Sequence, residues 1–190
     1  MIKARKEDKE TVVNIMTAAF DENKSINMII KQDAKRVWRI KKIFEYFFDT
    51  WFEYGVIYLS EDLKACALVA FPHLKKTTLR TIWLDIKLLW LIGIPSATKG
   101  FGREDKIRTR HPKTPFYYLL FIGVLPEFQN NGIGSKLLSE MIEDCERRAF
   151  PMYLETYLPS NVSLYKKLGF STFDELDFGF PVYCMKRTLT

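Results

Sequence analysis

The spacing of hydrophobic residues in the first third of the chain predicts helices. Apolar side chains recur every three or four positions over residues 6–20 and again over residues 34–53, as expected for amphipathic helices that bury one face. Asp33 can cap the second helix at its N-terminus, and Gly55 follows its end. Residues 27–31 are predicted to form a short helical turn between the two.

Short apolar runs in the remainder of the chain predict strands, because turn residues bound most of them. The predicted strands are residues 2–5, 56–59, 65–71, 115–125, 151–156, 171–178 and 181–188. Further helices are predicted between them at residues 77–93, 97–110, 133–149 and 161–168. Strands interspersed with helices that cover both faces predict an α/β fold with a mixed sheet.

The composition is that of one globular domain. The 190 residues, of which 47% are hydrophobic and 15% aromatic, suffice for one core, so we expect a single domain over residues 1–190. The charged N-terminus lacks the apolar segment of a secretory signal, and no apolar run has the length of a membrane span. Three scattered cysteines favour reduced thiols in a cytoplasmic protein. With only His73 and His111 present, neither a histidine metal site nor a Ser-His-Asp triad is expected.

Residues 119–138 combine an apolar strand, a short polar loop with two glycines and the start of a helix. Such a junction points backbone N–H groups and the positive end of a helix dipole at one spot, which favours an anion. Gly132 and Gly134 would let the backbone approach a phosphate closely. A P-loop is excluded because Ser-Lys, not Lys-Ser, follows Gly134. The dinucleotide fingerprint fails because Leu137 occupies its third glycine position.

The pattern that remains, Gln129-x-x-Gly132-x-Gly134 between a strand and a helix, resembles the pyrophosphate loop of GNAT-type N-acetyltransferases. A second motif follows one helix later. It consists of a short apolar strand and a helix that starts near Asn161 and closes with Leu-Gly-Phe170, and it resembles the second cofactor motif of the same family. The resemblance implies acetyl-CoA as co-substrate, no metal, and a GNAT-like, mostly antiparallel central sheet.

The resemblance also implies that the main chain holds most of the acetyl-CoA. The strand around Ile122, Gly123 and Val124 would pair with the pantetheine arm, and Asn161 would add a hydrogen bond to it, cap its own helix, or do both. The N–H groups of the loop would surround the pyrophosphate. This loop consists of Gln129, Asn130, Asn131, Gly132, Ile133, Gly134 and Ser135. Asn131 is a residue that tolerates a left-handed φ better than most.

Two residues are candidates for proton transfer. Tyr165 matches the general acid of the family, because a phenol with a pKa of about 10 is protonated at neutral pH and can donate to a departing thiolate. It could instead be a core tyrosine. Glu155 is the one acidic residue in the apolar strand 152–156, and burial would raise its pKa toward the range of a general base. Its alternatives are an edge position or a buried ion pair.

The helix pair over residues 77–110, whose second helix Ser96 can cap, exceeds the compact acetyltransferase core. Together with His111-Pro112 and the aromatic strand from Phe116, it resembles the puromycin-type branch, which implies a small-molecule amine as acceptor. The pair could wall the acceptor pocket or only cover the sheet, and it could equally serve a homodimer instead of a monomer. Acetylation of a protein lysine or N-terminus and a silent acyl-CoA sensor remain alternatives.

The net charge of +6 is distributed unevenly. Residues 1–42 carry a balance of +5 and residues 75–113 a balance of +7, whereas the rest of the chain sums to −6. A solvated basic face is the ordinary explanation, and some of these residues could attract the phosphates of coenzyme A. Since no nucleic-acid-binding module is visible, nucleic acid is not an expected partner, and neither is membrane insertion.

Overall fold

A seven-stranded sheet, ordered β1-β2-β3-β4-β5-β7-β6, lies at the centre of the computed structural model. The structure describes residues 1–189, except for the side chains of residues 94–96, 99 and 101, so the predicted cap Ser96 lies outside the described part. The strands are β1 (Ile2–Lys3), β2 (Gly55–Leu59), β3 (Ala65–Ala70), β4 (Tyr117–Val124), β5 (Met152–Thr156), β6 (Ser171–Asp177) and β7 (Pro181–Arg187). The helices are α1 (Lys9–Ala19), α2 (Lys24–Asn27), α3 (Arg36–Tyr54), α4 (Leu79–Ile92), α5 (Ile94–Arg108), α6 (Ile133–Arg147) and α7 (Pro159–Lys167).

The sheet opens between β4 and β5. Neighbouring strands are antiparallel except for this one parallel pair. The pairing of β4 with β5 extends only from Tyr117 to Leu119 on one strand and from Met152 to Leu154 on the other, although β4 runs on to Val124. The carboxyl ends of the two strands therefore separate and leave a gap in the sheet.

Helices cover both faces of the sheet. On one face, α6 and α7 bury Leu137, Met141 and Tyr165 against the strands. On the other face, α1 and α3 bury Met16 and Phe44. The insertion forms two helices, α4 and α5, of which α4 packs along α3. This mixed, mostly antiparallel α/β architecture confirms the fold predicted from the sequence.

All helix starts except that of α6 differ from the sequence prediction by two or three residues, and three of the differences concern a predicted cap or turn. Helix α3 begins at Arg36, because the Asp33 carboxylate accepts a main-chain hydrogen bond (2.8 Å) in the turn before the helix and caps that turn instead. The short helix lies at Lys24–Asn27, ahead of the predicted turn. Helix α7 begins at Pro159, since proline is well suited to the first helical position. Asn161 is therefore inside the first turn and is not the cap of its helix.

The three cysteines, Cys66, Cys145 and Cys184, are free and buried. Burial raises the pKa of each thiol well above its ordinary value, so all three are protonated at neutral pH. None of the helices that the structure describes combines the length and the hydrophobicity of a membrane-spanning segment.

Candidate active site

The outer edge of β4 faces the gap. A bulge leaves Leu120 without a partner on β3, and beyond it the N–H of Leu125 bonds to the β2–β3 turn at 2.9 Å. Because main-chain groups alternate in direction along a strand, those of Ile122 and Val124 point into the gap. The Gln129 side chain, which donates to the Val124 carbonyl at 3.1 Å, reaches this edge from the following loop. The strand thus offers an extended ligand the main-chain groups of Ile122 and the N–H of Val124, whose carbonyl already accepts from Gln129.

Gly123 allows helix α1 to pack closely against β4. A Cβ atom at this position would lie 2.9 Å from the Cβ of Ala19 and 3.4 Å from the sulfur of Met16, both on α1. The Cβ of Ala19 is fixed to the backbone of α1 and cannot give way without shifting α1 away from β4. The absence of a side chain at Gly123 is therefore needed for packing, whatever its main chain binds.

The loop after β4 turns sharply into α6. Asn130 and Gly132 adopt left-handed backbone conformations, with φ of 63° and 77°. The sequence assigned the tolerance for such a φ to Asn131, but the preceding asparagine adopts it, and Asn131 instead directs its side-chain nitrogen at the Phe128 carbonyl, 3.4 Å away. Glycine at 132 avoids the steric cost of this conformation.

The first turn of α6 has the donors of an anion site. No side chain caps the helix, and its first main-chain hydrogen bond runs from Lys136 to Gly132 at 2.9 Å. The N–H groups of Ile133, Gly134 and Ser135 therefore have no helical partner. A Cβ atom on Gly132 would meet nothing within 4 Å, so open space adjoins this turn. This cradle fits a phosphate group of acetyl-CoA.

Tyr165 and Asn161 lie on the same side of α7, four residues apart. The Tyr165 side chain is 6% exposed and packs on Phe170, with 5.6 Å between ring centres. Burial raises the pKa of Tyr165 to about 12. Within the described part of the chain, neither the Tyr165 hydroxyl nor the Asn161 amide has a hydrogen-bond partner. Both polar groups are thus available to a ligand.

Glu155 is buried between His111 and Tyr118. Its Oε1 lies 2.8 Å from Nε2 of His111, and its Oε2 accepts a hydrogen bond from the Tyr118 hydroxyl at 2.6 Å. Only 10% of the Glu155 side chain and 7% of the His111 side chain are exposed. Burial, followed by the charge of Glu155, raises the pKa of Tyr118 well above its ordinary value, so this phenol remains a donor. Glu155 is therefore not at an edge but in a buried polar cluster.

Sequence reasoning did not assign His111 to the site. It follows α5, and its ring packs on Phe116 and Tyr118 with centre-to-centre distances of 5.0 and 4.5 Å. The only sequence signal for it is the His-Pro pair before an aromatic strand. His111 and Glu155 are 44 residues apart in the sequence, and their contact depends on the path of the chain from the end of α5 to β4.

The two residues predicted to transfer protons approach the gap from opposite faces of the sheet. Leu154 packs in the same core as Tyr165. Because successive side chains of a strand point to opposite faces, Glu155 points the other way, toward the face where Tyr118 packs with α1 and α3. Glu155 and Tyr165 do not contact each other, and the space between them is the gap where β4 and β5 separate.

Helices α2 and α5 and the β6–β7 turn meet near the carboxyl end of β5. Tyr157, just beyond β5, accepts a hydrogen bond from the Lys24 N–H at 3.3 Å and packs on Phe180 at 5.5 Å. Arg103 of α5 donates to the Ser25 hydroxyl at 3.2 Å and lies 5.3 Å from the centre of the Phe180 ring. The second helix of the insertion therefore helps to enclose this end of the gap.

Solved acetyltransferase structures have this fold. A histone acetyltransferase HPA2 and related acetyltransferase from Corynebacterium glutamicum matches with a TM-score of 0.77 and 21% identity over 100% of this chain and 95% of its own. Arylalkylamine N-acetyltransferase 2 from Aedes aegypti matches with a TM-score of 0.68 and 14% identity, covering 100% and 98% of the two chains. A NatC complex bound to Gag peptide and CoA matches with a TM-score of 0.53 and 13% identity, covering 98% of this chain and 93% of its own.

The split sheet and the uncapped helix beside it belong to the α/β fold that these acetyltransferase structures share. The model of the acetyltransferase (GNAT) family matches residues 43–170, which is more than half of the chain. The chain therefore belongs to the GNAT acetyltransferase family, whose members use acetyl-CoA, and it is an acyltransferase.

Proposed function

We propose that this enzyme transfers the acetyl group of acetyl-CoA to the primary amine of a small molecule by direct attack of the amine. The observation that carries the proposal is the buried cluster in which His111 and Tyr118 hold Glu155 beside the gap. A buried carboxylate with an imidazole at 2.8 Å is suited to accept a proton in a site that excludes water.

The donor side would hold acetyl-CoA mainly through the backbone. The main-chain groups of Ile122 and the N–H of Val124 suit the pantetheine amides. The first turn of α6, from Gly132 to Ser135, suits the pyrophosphate. Asn161 has a free amide on the side of α7 that also carries Tyr165, and this amide adds a side-chain contact to the pantetheine arm.

Glu155 and His111 act together as the base. An amine is mostly protonated at neutral pH, so it must lose a proton before its nitrogen can attack a carbonyl carbon. The acceptor ammonium gives this proton to the Glu155–His111 pair, directly or through one water. The hydrogen bond from Tyr118 keeps the carboxylate oriented.

Tyr165 acts as the acid from the other face. Acetyl-CoA supplies an activated acetyl group and a thiol leaving group. The phenol of Tyr165, whose pKa of about 12 keeps it protonated, holds the proton that the leaving sulfur takes up. Solvent then returns a proton to Tyr165 and removes the one taken up by the base, so the proton count balances.

The enclosure of the gap favours a small acceptor. The contact of Arg103 with Ser25 joins α5 to α2, and the contact of Tyr157 with Lys24 joins the segment after β5 to α2. An extended peptide needs an open channel, whereas a small amine can enter beneath such a cover. The proposed acceptor class agrees with the puromycin-type branch that the sequence resembles.

The test measures release of free thiol from acetyl-CoA across a panel of arylalkylamines, polyamines, aminonucleosides and peptides with a lysine or a free N-terminus, with acetyl-CoA affinity followed by calorimetry. We expect turnover with a small amine. His111→Gln should slow it by about 100-fold with little change in acetyl-CoA affinity. The matched control is His73→Gln, because His73 is the other histidine and packs on the aromatic rings of Phe71 and Phe150.

The outcomes separate the alternatives. Turnover of peptides alone would make the enzyme a protein acetyltransferase. Binding of acetyl-CoA without turnover of any amine would make it a sensor. Equal rates for His111→Gln and His73→Gln would show that His111 is not part of the general base. Failure of the unmodified enzyme to bind acetyl-CoA would overturn the assignment of the donor site.

A further inference from the structure

Helix α4 exposes an unusual number of large apolar side chains. Leu79 is 88% exposed and Trp90 85%, and three others between them are about half exposed. These five residues are called the α4 surface: Leu79, Ile82, Trp83, Ile86 and Trp90. In the described part of the chain, eight of the thirteen exposed large apolar side chains lie at residues 37–38 and 74–90, so this is a patch and not scattered exposure.

The α4 surface is one face of the helix. Its members recur at spacings of three and four residues, which places them in a single stripe. The opposite stripe, with Leu84, Leu88 and Leu91, is turned toward the core. Folding therefore needs only one of the two apolar faces of α4, and the second has no partner within the described part of the chain.

Helix α3 extends the α4 surface at one end. The two helices run antiparallel, since Glu53 forms an ion pair with Arg80 and Tyr46 donates to Asp85 at 2.6 Å. Continuing this register brings the N-terminal turn of α3, where Trp38 is half exposed, beside the C-terminal end of α4. Three of the four tryptophans of the protein thus lie in this region.

Positive charge surrounds the apolar patch. Residues 31–42 and 74–92 together contain ten Lys/Arg and two Asp/Glu, whereas the rest of the chain contains nineteen and twenty-one. On α4 itself, Lys87 lies on one flank of the α4 surface, two turns beyond Arg80, which is paired with Glu53, and two exposed lysines precede the helix. The excess positive charge of the protein therefore lies in the two segments that carry the patch, although Arg39, Lys42 and Arg80 are ion-paired there, and this excess favours an anionic partner.

An apolar helix face with tryptophans and a basic flank is typical of helices that lie in the plane of a membrane interface. We propose that the α4 surface docks on a membrane with anionic lipid headgroups. Trp83 and Trp90 enter the headgroup region, while the surrounding lysines and arginines meet lipid phosphates. This docking needs no membrane-spanning helix.

The same charges disfavour a second copy of the chain as the occupant. In a two-fold symmetric dimer the α4 surface would pack against itself and bring like-charged flanks together. The ammonium of Lys87, on the flank of the α4 surface, lies 3.2 Å from the centre of the Trp83 ring and would be buried with it. Each copy would have to desolvate this cation beside its counterpart, whereas an anionic headgroup layer pairs with it.

Cosedimentation with phosphatidylcholine vesicles, with and without phosphatidylglycerol, tests the proposal. We expect binding to the anionic vesicles to be at least about tenfold tighter than to the neutral ones, with a blue shift of tryptophan emission and weakening by salt. Leu79→Ser/Trp90→Ser should lower the affinity for anionic vesicles by about tenfold or more, because both side chains are almost fully exposed in the free protein. That exposure also means the fold should survive, which acetyl-CoA affinity without lipid verifies.

The matched control is Ile2→Ser/Leu63→Ser, which removes two exposed apolar side chains away from the α4 surface. It should leave vesicle binding unchanged. Equal binding to neutral and anionic vesicles, or equal loss in the two double variants, would overturn the proposal. So would a concentration-dependent dimer that Leu79→Ser/Trp90→Ser dissociates in the absence of vesicle binding.

Discussion

The two sides of the gap in the sheet are lined by different kinds of groups, mainly main-chain atoms on one side and buried side chains on the other. On the donor side, where acetyl-CoA would bind, the groups other than the Asn161 amide are main-chain atoms of β4 and of the first turn of α6, and those from Ile122 to Ser135 lie within fifteen residues of one another in the sequence. On the acceptor side they are buried side chains, of which His111 and Glu155 are 44 residues apart. The main-chain groups come from one short segment of sequence, whereas the buried side chains come from distant segments that the fold brings together.

This difference determines how each side responds to mutation. A backbone site is insensitive to most side-chain changes and is damaged mainly where a residue must adopt a left-handed φ or leave space for the ligand. A buried polar cluster is sensitive to substitution of each of its members, because removing one side chain leaves its hydrogen-bond partner buried and unpaired. Substitutions on the acceptor side should therefore reduce turnover, and those on the donor side should reduce affinity.

The largest effect is expected at Glu155. Glu155→Gln keeps the size of the side chain and can still accept from Tyr118, but it removes the basic carboxylate, so kcat should fall by about 1000-fold with the best amine of the panel. Acetyl-CoA affinity should stay within about twofold, because no donor-side group changes. Glu175→Gln, an exposed carboxylate on β6, is the control. If kcat fell by less than about tenfold, Glu155 would be excluded as the base.

Tyr165→Phe should have the next largest effect, about a 100-fold lower kcat with nearly unchanged acetyl-CoA affinity. Because burial raises the pKa of Tyr165 to about 12, the phenol of the free enzyme stays protonated until the pH approaches that value. The alkaline limb of the pH profile of kcat/KM should therefore not reflect Tyr165 below about pH 11. An unchanged kcat in steady-state kinetics would leave Tyr165 a core residue that packs on Phe170.

The fold and the loop-to-helix junction after β4 could be predicted from the sequence because their determinants are local. The glycine spacing at Gly132 and Gly134 and the periodicity of the helices are each contained in a short segment. The site residues themselves remain predictions, and the left-handed φ falls on Asn130 because turn geometry, not the tolerance of one residue, sets its position. The role of His111 could not be predicted, since its contact with Glu155 depends on long-range packing of the insertion.

The smallest effect is expected at Gly132, where backbone strain can be separated from ligand binding. Gly132→Ala and Gly179→Ala both place a Cβ on a left-handed residue (φ 77° and 83°) with nothing within 4 Å, so each should lower the free energy of unfolding by a similar amount, about 1 kcal/mol. Only Gly132 adjoins the first turn of α6, so only Gly132→Ala should weaken acetyl-CoA binding, by about tenfold. Calorimetric titration and urea unfolding of both variants measure the two quantities. If both variants lose affinity equally, strain alone explains the effect, and the first turn of α6 is not where the pyrophosphate binds.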